Sequence, residues 1–154
     1  MKKKIIIPII IALFVIIIVA LVSVWWSKAS DYSTILNTNW DFSLPTEAKY
    51  SEVYSKNPSD SFHGDGIRYH VYSYKNEEYI EQMFDWNSVE KETIFNSSYS
   101  EAANEWFDEL DVQNEYYPDY SNCVYWYQSQ SDNSEIIVFW NKQNDMVYIL
   151  ESFL

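Results

Sequence analysis

The chain is 154 residues long and 19% aromatic, and it carries 23 acidic residues against ten basic ones for a formal net charge of −13. All 23 acids lie beyond residue 30, where only Lys49, Lys56, Arg68, Lys75, Lys91 and Lys142 oppose them, six against 23 giving −17; such a region excludes nucleic acid, anionic lipid headgroups and teichoic-acid polymers as partners and favours cations or a basic protein. Aromatic content excludes disorder, length excludes two full-sized domains beyond residue 30, and a single cysteine, Cys123, excludes an intramolecular disulfide.

The first predicted element is a transmembrane helix. Lys2, Lys3 and Lys4 make residues 1–4 a basic tail, and residues 5–26, from Ile5 to Trp26, are uncharged. As a helix rising about 1.5 Å per residue, that run reaches roughly 33 Å, enough for a hydrocarbon core of about 30 Å. Trp25 and Trp26 suit the headgroup interface, and Pro8 falls in the first turns, where a missing N–H costs least. The lysines put the tail in the cytoplasm and all that follows outside it. The segment reads as a signal-anchor of a single-pass cell-membrane protein, with the lipid bilayer as the partner of residues 5–26. The alternative is a cleaved signal peptide, since Ser27-Lys28-Ala29 before Ser30 has small-x-small form; the long apolar run and the bulk of the two tryptophans oppose it. No cysteine follows the run to take a lipid.

Residues 27–39 read as a short stalk, with Ile35, Leu36 and Trp40 available to dock, and residues 40–154 as an extracytoplasmic domain. Lys49 to Ser55 alternates as a strand, placing Tyr50, Glu52 and Tyr54 on one face. Ile67 to Tyr74 alternates more strongly, with Ile67, Tyr69 and Val71 opposite Arg68, His70, Tyr72 and Tyr74. Asn76 then caps a helix whose Glu77 and Glu78 favour the positive end of the dipole and whose Tyr79, Ile80, Met83 and Phe84 recur at helical spacing through Trp86. A second helix starts near Ser98, which with Glu101 has capping-box form, and carries Ala102, Ala103, Trp106, Phe107 and Leu110 on one stripe. Asn122 to Ser129, Glu135 to Lys142 and Met146 to Phe153 are aromatic and β-branched runs joined by short turn-rich segments, the pattern of a three-strand antiparallel meander. The predicted fold class is α+β: the transmembrane helix, then a small domain with a mostly antiparallel sheet and two helices on one face. Tyr69, Val71, Trp106, Phe107, Ile137 and Phe139 are the expected buried positions.

Chemistry-bearing motifs are few. His63-Gly64-Asp65-Gly66, leading into the strand at Ile67, is the one candidate functional turn: glycines around an acid permit positive φ and close approach of a ligand, and His63 with Asp65 can act as acid and base. It lacks the acid series of a calcium loop and the Gly-Lys-Ser/Thr ending of a phosphate loop, and two glycines cannot supply a Gly-x-Ser-x-Gly elbow. The simpler reading is a tight turn shaped by Gly64 and Gly66. His70 has no zinc-ligand spacing around it, and Cys123 reads as a small buried side chain. Pairs such as Glu105 with Asp108 or Glu77 with Glu81 read as solvated helix faces. No catalytic residue, metal site or cofactor is expected. Tyr116, Tyr117 and Tyr120 around Pro118, and Trp126 in the next strand, are the candidate binding aromatics, being more than alternating strands bury and able to stack on sugars or peptide side chains.

The basic start and single span, with Leu36-Asn37-Thr38-Asn39-Trp40, Ser61-Phe62-His63-Gly64-Asp65-Gly66 and Met146-Val147-Tyr148-Ile149-Leu150-Glu151, resemble uncharacterised small N-terminally membrane-anchored proteins of Gram-positive bacteria. The resemblance implies a bacterial membrane compartment and no activity. The sequence therefore favours an anchored module that binds a basic protein or peptide at the cell surface, not an enzyme. The alternative is an envelope hydrolase using the His63 to Gly66 turn.

Overall fold

A computed structural model of the chain describes residues 13–23, 32–45, 49–57, 65–88 and 99–154. The chain divides into two compact units, Met1–Leu44 and Pro45–Leu154. In the first, residues 13–23 form a helix (α1) whose side chains are all exposed. This is the described part of the predicted span 5–26; residues 5–12, 24–26 and the Ser27 to Ser30 sequence lie outside the described residues. Among the described residues no helix is long and apolar enough to cross a membrane. A second helix, α2 (Tyr32–Trp40), stands where the sequence predicts a stalk at 27–39. Its buried Ser33, Leu36 and Trp40 recur at helical spacing, and Ser33 Oγ accepts a hydrogen bond from Leu44 N at 2.9 Å, tying the following segment to the first turn.

The second unit is α+β, built on an antiparallel sheet. Its elements are β1 (Ser51–Lys56), β2 (Gly66–Ser73), α3 (Glu77–Glu81), β3 (Asn87–Ser88), α4 (Ser100–Glu109), β4 (Cys123–Ser129), β5 (Glu135–Asn141) and β6 (Met146–Phe153). The strands lie in the order β1-β2-β6-β5-β4-β3, every neighbouring pair antiparallel. The predicted meander of β4, β5 and β6 forms as expected. Its turns use side chains to satisfy backbone: Asp132 Oδ1 accepts from Ser134 N at 2.9 Å, Asn141 Oδ1 from Gln143 N at 2.9 Å and Asn144 Oδ1 from Met146 N at 3.2 Å.

Both faces of the sheet are covered, as the unbroken apolar run Ile136 to Trp140 of β5 requires. On one face Tyr69 and Val71, Tyr125, Ile137 and Phe139, and Tyr148 and Leu150 pack against Ala103 and Phe107 of α4 and Leu110 just after it. On the other, Tyr72, Val147, Ile149, Ile136, Val138 and Trp140 are buried. There Phe84 and Trp86, just after α3, meet Trp126 and Trp140 at ring-centroid distances of 4.2 and 5.7 Å. The helices thus serve opposite faces, not one face as the sequence suggests, because one face alone would leave half of β5 in water.

Other expectations are corrected in detail. A bulge between Glu52 and Tyr54 shifts the β1–β2 register, so these two residues leave on opposite faces: Glu52 reaches His70, and Tyr54 stacks on Tyr116 at 3.9 Å. The helix expected to run through Trp86 ends at Glu81. The Asn76 cap is present, its Oδ1 accepting from Glu78 N at 3.0 Å. Ser98 lies outside the described residues, and α4 begins at Ser100. Of the expected buried positions, Trp106 is only half-buried, while Tyr69, Val71, Phe107, Ile137 and Phe139 are within 1% of fully buried.

Candidate functional site

The turn singled out by sequence is described only in its second half. His63 and Gly64 lie outside the described residues; Asp65 is exposed, and Gly66 opens β2 opposite Phe153 with φ of 105°. That angle is available to glycine and costly to residues with a Cβ, so Gly66 shapes the start of the strand.

The candidate aromatics do not form one surface. Tyr116, Tyr117 and Tyr120 rim the α4 face of the core. Tyr116 O accepts from the Tyr69 hydroxyl at 2.5 Å, Tyr117 lies 4.4 Å from Phe107, and Tyr120 lies 5.3 Å from Phe139 while donating to Asn104 Oδ1 at 3.0 Å. They cover apolar surface. Trp126 lies on the opposite face, stacked on Phe84. Cys123 is buried, and burial pushes its thiol up to about 12, the reverse of an activated nucleophile. Among the described residues no three His, Cys, Asp or Glu side chains are grouped to hold a metal ion.

His70 is bound to Glu52 across β1 and β2, Nδ1 to Oε1 at 2.6 Å, with the Tyr72 hydroxyl donating to the same oxygen at 3.4 Å. Burial lowers the affinity of His70 for a proton and outweighs the opposing pull of Glu52. A neutral ring donating through Nδ1 to the carboxylate fits both facts. The group pins the bulged edge strand to β2.

An open groove lies at the end of the sheet where α3, β5 and the β5–β6 turn meet. The buried Ile80 anchors α3, Met83 N closes on Ile80 O at 3.0 Å, and Trp86 Nε1 donates to the same carbonyl at 2.8 Å. These bonds end the helix and turn Phe84 and Trp86 together onto the sheet. From β5 come Trp140 and, one step beyond the strand, Lys142, whose backbone N donates to Asn122 O at 3.1 Å. Glu81, Phe84, Asp85, Trp86, Trp140 and Lys142 line an open groove of about 420 Å³. Lys142 Nζ sits 5.1 Å from the centre of the Trp140 ring, within cation–π range. Glu81 and Asp85 are exposed, and among the described residues neither takes part in an ion pair. Aromatic faces for a cation and free carboxylates beside them suit a positively charged side chain.

Comparison of the chain with models of known protein families, with curated proteins and with solved structures gives no match. Its class is accordingly that of its own architecture, an α+β unit on an antiparallel sheet with a groove of aromatic and acidic side chains at one end.

Proposed function

We propose that this chain is a single-pass bacterial cell-membrane protein, N-terminus in the cytoplasm, whose outer domain binds a basic protein or peptide. The anchor rests on the three lysines before an uncharged run at 5–26 and on the exposed apolar helix at 13–23 within it. The binding role rests on one observation above the rest: the groove between α3 and β5 joins the Trp86 and Trp140 rings to the carboxylates of Glu81 and Asp85, which among the described residues take part in no ion pair. The charge of −17 beyond residue 30 adds attraction from a distance, which raises the rate of encounter with a basic partner.

The test is direct. The full chain in detergent micelles should bind a fluorescein-labelled peptide of alternating lysine and serine residues, read by anisotropy, with affinity that falls as salt rises. The same peptide with its lysines acetylated should not bind. Equal binding of the two peptides would remove the charge-based reading.

A further inference from the structure

From the geometry at the end of β5 we infer that Lys142 is a built-in competitor: it occupies a socket for a single lysine or arginine side chain, and the basic partner binds by replacing it. The inference rests on the proposed function and deepens it. A cation is already present in the groove, since the Lys142 ammonium lies 5.1 Å from the Trp140 ring. Trp140 is only 3% exposed within the sheet, with Trp86 also packed 5.7 Å from its ring, so an incoming cation reaches the ring by taking the position of that ammonium. Lys142 itself is exposed, and its backbone is fixed by the hydrogen bond to Asn122 O, so its flexible side chain can swing into solvent without disturbing the strand. Glu81 and Asp85 stand on the α3 side of the groove, and among the described residues neither is ion-paired, to Lys142 or to any other cation, so both carboxylates face the arriving charge. The Trp86 indole is held by its bond to Ile80 O, so the socket wall is set before the partner arrives.

The inferred exchange predicts an unusual sign: removing a groove residue strengthens binding. In the full chain in micelles, with the lysine–serine peptide as probe, Lys142→Ala should tighten binding about two- to fivefold, the range of an exposed cation–π contact. Deleting a positive charge anywhere raises attraction for a basic peptide, so Lys56→Ala is the control. Lys56 is on β1, its Nζ near Asp111 O at 3.5 Å, and its loss changes net charge equally. The inference requires Lys142→Ala to exceed Lys56→Ala, and the exposed pair Glu81→Gln and Asp85→Asn to weaken binding. Equal gains from the two lysine variants, or a loss with Lys142→Ala, overturn the competitor role while leaving the binding module intact. Absence of peptide binding by the wild type and by Lys142→Ala alike overturns both.

Discussion

At the scale of single residues, buried polarity decides more than any motif. His70, 5% exposed, has its proton affinity lowered by burial even with the Glu52 carboxylate 2.6 Å away. The unfolded chain therefore takes up that proton more readily than the folded one, and acidification through about pH 6.5, the ordinary histidine value, draws the chain toward unfolding. This contribution is neutral above that range and grows as pH falls, until the folded imidazole is itself protonated. His70→Gln should flatten this part of the profile of urea midpoint against pH between about pH 7.5 and about pH 5.5. A profile as steep as that of the wild type would show that His70 is not held neutral. The bulge at Val53 is what brings Glu52 to His70, and strict alternation hides it: the sequence pattern puts Glu52 and Tyr54 together, whereas one extra residue separates them.

At the scale of elements, the long strands β2, β5 and β6 are legible in the sequence, and the C-terminal end of α3 is not. β2, β5 and β6 fall within a residue or so of their predicted limits because alternating or continuous apolar runs bounded by turn residues have few other readings. The end of α3 was hidden because Phe84 and Trp86, two residues apart, both fit the helical stretch by composition. Two residues on a helix point to different sides, yet both rings reach the same face of the sheet, so the helix must end first. α2 left a signal in Ser33, Leu36 and Trp40, spaced three and four apart within a polar stretch. β3, with two residues, left none. Of the stripe expected on α4, Ala103, Phe107 and Leu110 are buried, and Ala102 and Trp106 only partly so. Phe107→Ala should cost roughly 3–5 kcal/mol and Trp106→Ala well under half of that, since Phe107 is fully buried and Trp106 only partly. Urea unfolding of the full chain measures both, and equal losses would place Trp106 deeper in the core than its packing indicates.

For the whole molecule, the candidate site could not be read from sequence because its halves are distant in the chain. Glu81, Phe84, Asp85 and Trp86 meet Trp140 and Lys142 only once β4, β5 and β6 have paired and α3 has ended in its turn. The sequence did display the charge that such a groove uses, and it displayed the apolar run that would hold the domain at a membrane. The proposed binding of a basic partner at the cell surface requires that the acidic domain face outward. The most direct test of that orientation is Ser131→Cys, at an exposed residue of the β4–β5 turn, in a Cys123→Ser background; the buried native thiol, raised to about 12, would add little labelling in any case. On intact cells a membrane-impermeant maleimide should label the new cysteine before lysis, and the labelled protein should sediment with the membranes. Labelling that appears only after lysis, or a labelled product that stays soluble, would contradict an anchored, outward-facing domain.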